Sequence, residues 1–348
     1  MGLFLALILT LPLQTAHAAA WEDEAGQLLA KAPLTWEAFL QHPVQSVWHL
    51  VADACLRDTG QLLRTVKQLF GFLLCAAAVQ FLGESSRWGT LLEWIFACGT
   101  FLLSEPLVME LSRNICAKST VWKDFLFGFV PVFASSMLAT GQLTGAAVCN
   151  GFFLTALSGT ADVLQGCILP ATQMFLAVTA AGIFSESRTA QHLSVRLGSL
   201  LRRVLGWVGA AFTALMGLQR AFSGAADRAA WHTGGTLLFS SVPIVGQALA
   251  SAASGIAAGV QVVQSGLAFS ALAIVGAECL PLYVQGMLLW AVFTVAGLAA
   301  AAAGLSRCEA MLTGMAAGAS ALAAVVALYF GMLAVGILFM LAVGGARL

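Results

Sequence analysis

Charged residues are scarce in this sequence, since Asp, Glu, Lys and Arg together make up only 9% of its 348 residues. A water-soluble domain carries roughly 25%, so the composition excludes an ordinary soluble protein. The remaining sequence contains long apolar runs, and residues 321–343 include no charged side chain over 23 positions. A helix of that length crosses a bilayer core of about 30 Å. Lipid offers the backbone no hydrogen-bond partners, so we predict an all-α polytopic membrane bundle of about 8–10 spanning or re-entrant helices.

Recognisable catalytic and ligand-binding motifs are also missing. The net charge is zero, and no block of Lys and Arg could neutralise a row of phosphates, so we predict no nucleic-acid partner. The eight cysteines never form a CxxC pair, which predicts neither a metal site nor a disulfide framework. The sequence has no Gly-Lys dipeptide, HExxH or GxSxG. We therefore predict that the protein is not an enzyme and carries no cofactor.

The amino-terminal segment is typical of a secretory signal. An apolar core spans Leu3–Leu13, and Ala16-His17-Ala18 provides the small residues that a signal peptidase accepts. We predict that residues 1–20 form a signal peptide, which leaves the mature amino terminus outside the cytoplasm. The alternative is an uncleaved first membrane helix, although its core of about 11 residues is too short to span comfortably.

The rest of the chain divides by polarity. Residues 21–65 are the most polar and combine aromatic with acidic positions, which predicts an extracytoplasmic amphipathic segment. Residues 66–348 form the predicted polytopic membrane domain. Within it, residues 112–124 and Ser185–Arg203 are polar and are predicted to connect spans. The four arginines of Ser185–Arg203 favour a cytoplasmic loop, whereas counting spans places 112–124 outside despite its three basic residues, a conflict that stays open.

Two halves of the membrane domain share a pattern. Val130-Pro131-Val132 is echoed by Val242-Pro243-Ile244, and a Cys then precedes a second proline 39 or 38 residues further on. This pattern predicts related repeats over 125–220 and 237–346. Repeat-built membrane proteins often place a pathway at interrupted helices, so Pro131 and Pro243 are candidate helix breaks. Chance recurrence in an Ala/Gly/Leu/Val background is the alternative.

Glycines spaced four residues apart indicate close helix packing. Such a pair places two glycines on one helix face, where another backbone can approach. The predicted packing residues are Gly141, Gly145, Gly255, Gly259, Gly314 and Gly318.

Four acidic residues lie within apolar runs, where an ionisable group is costly and usually faces protein or water. For Glu93 and Asp162 the favoured interpretation is a structural carboxylate held by the bundle. Glu105 and Glu278 lie beside prolines at predicted helix breaks. We predict Glu105 and Glu278 as candidates for a polar pathway.

The order of these features resembles the stage III sporulation protein AE family of endospore-forming bacteria. Five stretches carry the resemblance, and each contains glycine, proline or tryptophan. They are Phe129–Val132, Ser135–Gly141, Gly206–Val208, Gly217–Gln219 and Ser241–Gly246.

This resemblance implies a multi-pass subunit, in the mother-cell membrane around the forespore, of a secretion-like channel complex. Its implied partners are ring-forming membrane proteins and a cytoplasmic ATPase, together with membrane lipid. The channel would support late forespore development, and no catalysis is attached to this subunit. Two other functions stay open from the residues alone: a secondary transporter, and an integral subunit of a type IV secretion apparatus.

Overall fold

A computed structural model describes residues 64–80, 89–139, 151, 153–184, 193–239 and 246–344. These residues contain six helices and no strand, so the predicted all-α class is confirmed. In chain order the helices are α1 over residues 64–80, α2 over Gly89–Ala139, α3 over Leu154–Phe184, α4 over Leu193–Phe239, α5 over Gly246–Ala302 and α6 over Ser306–Gly344.

Helix α6 is the centre of the bundle and contacts α2, α3, α4 and α5. Its sequence explains this position, because between residues 310 and 344 it carries no charged side chain and is rich in Ala and Gly. Small side chains let four neighbours approach one helix. Helix α2 contacts α3 and α5, and α4 packs beside α3. Thus α2 and α4 both pack on α6 but make little contact with each other.

The contacts also fix helix directions. Gly198 and Gly209 of α4 lie against Ala317 and Leu328 of α6, so these two helices run in parallel. The start of α2 likewise contacts the start of α6, through Glu93. Helices α3 and α5 run antiparallel to α6, as contacts at both ends of α3 and along α5 show. These contacts join Thr179 to Gly314, Phe153 to Gly336, Gly297 to Thr313 and Gly286 to Ala323.

A tight turn joins α5 to α6. Gly304 has a positive φ of 73°, which glycine adopts without steric cost. The Leu305 N–H donates to the Ala300 carbonyl at 2.9 Å, and the Gly304 N–H donates to the Ala301 carbonyl at 3.1 Å. This pair of bonds satisfies carbonyls at the end of α5. The chain reverses at once, which sets the two apolar helices side by side.

Among the described residues, the helices are longer than the apolar segments predicted from the sequence. Helix α2 passes without ending through Pro106 and Pro131, and α5 passes through Pro281. The helix breaks predicted at Pro106, Pro131 and Pro281 are therefore not observed. Each proline removes one helical hydrogen bond, and the surrounding bundle keeps the helix continuous.

The two predicted connecting segments also need correction. Residues 112–124 belong to α2, and residues 193–203, the described part of Ser185–Arg203, belong to α4. Two polar side chains of residues 112–124 reach neighbouring helices: Lys118 contacts Glu278 and Lys123 contacts Asp162. Polarity here marks contacts between helices rather than exposed loops.

Four of the helices are long and apolar enough to cross a membrane, as judged by length and composition within the described residues. These candidate spans are Leu91–Leu138, Thr155–Phe184, Gly266–Ala302 and Ser306–Leu338. The expectation of a multi-span membrane protein is thus met, with four such helices among the described residues.

Several predictions concern residues outside this description. The signal peptide 1–20, nearly all of the segment 21–65, Gly141, Gly145 and Pro243 lie outside the described residues. Gly255 and Gly259 are helical, within α5, but their surroundings are not among the described contacts. The division into repeats over 125–220 and 237–346 stays a prediction.

Candidate functional site

Three helix ends meet at an ion pair between Glu93 and Arg307. The Arg307 Nε and the Glu93 Oε2 are 3.8 Å apart, and the two side chains are only 11% and 16% exposed. Glu93 Oε1 also accepts hydrogen bonds of 2.9 Å from the Ser306 hydroxyl and from the Arg307 backbone N–H. The carboxylate therefore caps the first turn of α6 and offsets the positive end of that helix dipole.

Arg307 extends this junction to α3. Its guanidinium donates a hydrogen bond of 2.6 Å to the carbonyl of Ile183, in the last turn of α3. The same guanidinium lies 5.2 Å from the centroid of the Trp94 ring, a cation–π distance. Trp94 in turn meets Phe184 edge-to-face, with ring centroids 6.2 Å apart. One arginine and one glutamate thus join the start of α2, the end of α3 and the start of α6.

A second pair of ionic contacts lies further along α2. Lys118 Nζ is 2.5 Å from Glu278 Oε2 of α5, and Lys123 Nζ is 2.6 Å from Asp162 Oδ1 of α3. All four side chains are partly exposed, by 43% and 38% in the first pair and 30% and 54% in the second. Helix α2 therefore uses two lysines, five residues apart, to attach to its two neighbours.

The two sets of ionic contacts are separated by about one bilayer thickness. We call the Glu93–Arg307 contacts the first ionic layer, and the Lys118–Glu278 and Lys123–Asp162 contacts the second ionic layer. Tyr329 of α6 stacks on Trp122, one turn beyond Lys118, with ring centroids 4.8 Å apart. Along α6, Arg307 and Tyr329 are 22 residues apart, which is about 33 Å of helix. The hydrocarbon core of a bilayer is about 30 Å thick. Between the two layers α3, α5 and α6 carry no charged side chain: residues 163–184, 279–302 and 310–329 contain no Asp, Glu, Lys, Arg or His.

A buried aromatic stack accompanies the second layer. Trp122 and Tyr329 are 1% and 0% exposed. Among the described residues, neither the Trp122 Nε1 nor the Tyr329 hydroxyl has a hydrogen-bond partner. The rings therefore contribute by packing α2 against α6.

Of the four acidic residues selected from the sequence, three have an ionic partner on another helix and one does not. Glu93, Asp162 and Glu278 each contact a cation on another helix, whereas Glu105 has no ion-pair partner among the described residues. Glu105 precedes Lys118 by 13 residues on α2, about 20 Å along the helix. The structure therefore does not bring Glu105 and Glu278 together. Pro131 lies on the exposed side of α2, and a pathway role for it stays a prediction.

Sequence reasoning missed the cationic partners. Lys118 and Lys123 lie in the segment 112–124 that the sequence predicts to connect spans, away from the acidic residues they contact. The signal that could have found them is the near balance of charge, because isolated acidic residues in apolar runs require cations of equal number nearby.

The central helix meets its neighbours at glycines. A Cβ added at Gly318 would lie 2.5–3.1 Å from the ring of Phe175 in α3. One added at Gly314 would meet the Ser194 hydroxyl, and would lie 3.3 Å from the Thr179 methyl. Both glycines, four residues apart, therefore lie where α6 contacts α3 and α4.

Comparison with known proteins identifies a family. A family model described as stage III sporulation protein AE (spore_III_AE) matches residues 96–344, more than two thirds of the chain. The match includes both lysines of the second layer, their acidic partners and Arg307, whereas Glu93 falls just before it. No curated protein matches the chain, and no solved structure matches it.

Proposed function

The chain belongs to the stage III sporulation protein AE family, and we propose that it is a multi-pass subunit of a secretion-like channel complex that links mother cell and forespore. The observation that carries this proposal is the family match over 96–344, which spans four helices of the bundle and part of α2. A role in sporulation follows from the family itself, and the four apolar helices indicate a membrane protein.

The architecture supports a subunit without catalysis of its own. Among the described residues no group of three or more His, Cys, Asp or Glu side chains could hold a metal ion. The family is not a known enzyme family. The ionic contacts join helices to one another, so their chemistry is that of a scaffold. Energy for transport would then come from partners: a cytoplasmic ATPase and ring-forming membrane proteins, in the mother-cell membrane around the forespore.

The experiment is deletion of the gene in its own host, with complementation by the wild-type gene. We expect development to stop after engulfment, with late forespore reporters silent. A tagged chain should recover other channel subunits from solubilised membranes. Normal spore yield in the deletion strain would contradict the proposal, and so would a tagged chain that recovers none of them.

The main competing function is a secondary transporter. Such a protein needs an ionisable group that gains and loses a proton or ion during the cycle. Among the acidic residues considered, only Glu105 lacks an ionic partner in the described chain, which leaves few candidates for that role. A subunit of a type IV secretion apparatus is distinguished by conjugation genes beside this one.

A further inference from the structure

Among the described residues, the charged side chains between the two ionic layers come only from α2 and α4. Helix α2 contributes Glu105, Glu110 and Arg113, and α4 contributes Arg196 and the pair Arg202–Arg203. Helices α2 and α4 make little contact with each other, and among the described residues no ion pair joins these two sets of charge.

Two arginines of α4, Arg196 and Arg203, lie on its exposed face. Arg196, Leu200, Arg203 and Trp207 recur at intervals of four, three and four residues, so they share one helix face. We call these four residues the α4 stripe. Leu200 is 55% and Trp207 is 76% exposed, and both arginines are exposed. The opposite face of α4, through Gly198 and Gly209, packs on α6.

Helix α2 presents a complementary face. Its exposed positions recur at helical spacing and define the α2 stripe. The α2 stripe comprises Leu102, Glu110, Arg113, Val121 and Asp124.

The α2 stripe carries two acids and one base, and Glu105 lies at its edge, so this side of the bundle is acidic. Leu102 is 70% and Val121 is 47% exposed. Each stripe thus combines exposed apolar side chains with charge, and the net charges have opposite sign.

The two stripes lie at the same height along the central helix. Arg202, beside Arg203, donates a hydrogen bond to Ser320 of α6. From α2, Ser104 contacts Met311, and Trp122 stacks on Tyr329. Glu110 therefore lies between the levels of residues 311 and 329, as Arg203 does.

We infer that the α2 stripe of one copy docks against the α4 stripe of a second copy. Among the described residues, the side chains of Glu110, Arg113, Arg196 and Arg203 have no ion-pair partner within the chain. An unpaired charge at the centre of a bilayer costs about 3 kcal/mol on insertion scales. A second copy brings the two acids of its α2 stripe, Glu110 and Asp124, to the two arginines of the α4 stripe. Lipid headgroups suit the arginines less well, because Arg203 lies beside the apolar middle of α6 rather than near an end.

This contact is heterologous, because two different surfaces of the same chain meet. Such a contact repeats from copy to copy and gives a closed ring or an open row. The inference goes beyond the proposed sporulation role, and does not depend on it. It concerns only the association of this chain with itself.

The test uses two differently tagged full-length copies, expressed together and recovered from membranes in mild detergent. We expect wild-type copies to co-purify. Reversing the α4 stripe with R196E/R203E, or the α2 stripe with E110R/D124R, should lower recovery of the second tag at least about tenfold, because reversal replaces attraction with repulsion at each charge pair. The charge-conserving variant R196K/R203K should co-purify with wild-type efficiency.

Mutual rescue separates this interface from a general loss of folding. A copy with the reversed α4 stripe and a copy with the reversed α2 stripe should recover each other, although neither recovers itself. Reversal that leaves co-purification unchanged would overturn the inference. So would variants that accumulate normally but fail to rescue one another, an outcome that points to a lipid or another subunit at these faces.

A cross-link gives a second measurement that needs no reversed charge. Trp207→Cys in one copy and Val121→Cys in the other, with exposed Cys75 and Cys167 replaced by Ser, should form a disulfide-linked dimer on oxidation in membranes. Two copies that both carry Trp207→Cys should not. A dimer linked through Trp207→Cys in both copies would overturn the head-to-tail arrangement, and absence of any dimer would overturn self-association through these stripes.

Discussion

The carboxylate of Glu93 accepts a hydrogen bond from the backbone N–H of Arg307, 214 residues later in the chain. Helix α6 begins at Ser306, so its amino-terminal N–H groups need acceptors. A local cap comes from the preceding residues, but here the acceptor arrives from another helix. The start of the central helix is therefore stable only when α2 is in place, which links local helix capping to assembly of the bundle.

Removal of this carboxylate should destabilise the bundle. Glu93→Ala leaves the Arg307 guanidinium without its carboxylate and the first turn of α6 without its cap. Breaking a largely buried pair by removing one partner costs on the order of 3 kcal/mol. We expect a lower steady-state level in membranes and a lower melting temperature in detergent.

The control is Lys67→Ala, which removes an exposed charge from α1 and should leave both measurements near wild type. Glu93→Gln, which keeps an acceptor oxygen but not the charge, should fall between the two. Equal stability of Glu93→Ala and wild type would show that the contact has no role in the fold.

Packing of α4 on the central helix can be tested at a single glycine. A Cβ at Gly198 would lie 2.9 Å from the Ala317 Cβ and 3.1 Å from the Ala317 carbonyl oxygen. Because backbone cannot move aside as a side chain can, Gly198→Leu should cost at least about 1–3 kcal/mol through overpacking. Thermal unfolding in detergent measures the loss.

Gly206 provides the matched control on the same helix, since no atom lies within 4 Å of a Cβ added there. Gly206→Ala should leave stability unchanged or raise it by up to about 1 kcal/mol, because alanine favours a helix over glycine. A Gly198→Leu protein as stable as Gly206→Ala would show that α4 does not pack on α6 at this site.

The directions of the helices predict which residues lie on the same side of the membrane. The start of α4 and the end of α5 lie at the same end of the bundle, near Arg307, whereas the start of α3 lies at the other end. Single cysteines at Leu193 and Ala302, in a cysteine-free chain, should therefore react with an impermeant thiol reagent from one side. A cysteine at Gly151 should react from the opposite side. Labelling of Leu193→Cys and Ala302→Cys from different sides would contradict this arrangement.

Sequence reasoning predicted the helical class and the membrane character because both follow from average composition. A run such as 321–343 has one stable form in lipid whatever its partners are. The acidic residues Glu93 and Asp162 were correctly given a structural role, since an isolated charge in an apolar run requires compensation. Gly314 and Gly318 do lie against neighbouring helices, and their packing role stays a prediction for mutation to test.

The boundaries of the helices could not be predicted because they depend on tertiary partners. In the sequence, Lys118 and Lys123 are typical of a loop. In the structure they lie beside Glu278 and Asp162, on neighbouring helices. Proline at 131 predicts an interruption from local chemistry, yet the bundle keeps α2 continuous there. Pairing across 160 residues, as between Lys118 and Glu278, leaves no periodic signal in the sequence.

The ion pair of Lys118 and Glu278 distinguishes a scaffold from an ion-coupled transporter. Glu278→Gln alone is ambiguous, because it removes a titratable group and also leaves the Lys118 ammonium unpaired. The double variant Lys118→Gln with Glu278→Gln removes both charges and lets two amides bond across the same gap. A scaffold should recover most of its function in the double variant, while an ion-coupled protein should stay inactive because its carboxylate is absent.

The measurement is completion of spore development, with each variant at wild-type protein level. We expect Glu278→Gln to be impaired and the double variant to approach wild type, which is the signature of a pair retained for assembly. Lys123→Gln with Asp162→Gln provides the parallel case at the α2–α3 contact and should behave alike. Glu105→Gln should be tolerated, because Glu105 has no ion-pair partner among the described residues. Complete loss in Glu105→Gln, or in the double variant at 118 and 278, would instead require a titratable carboxylate in the membrane and would favour the transporter over the channel scaffold.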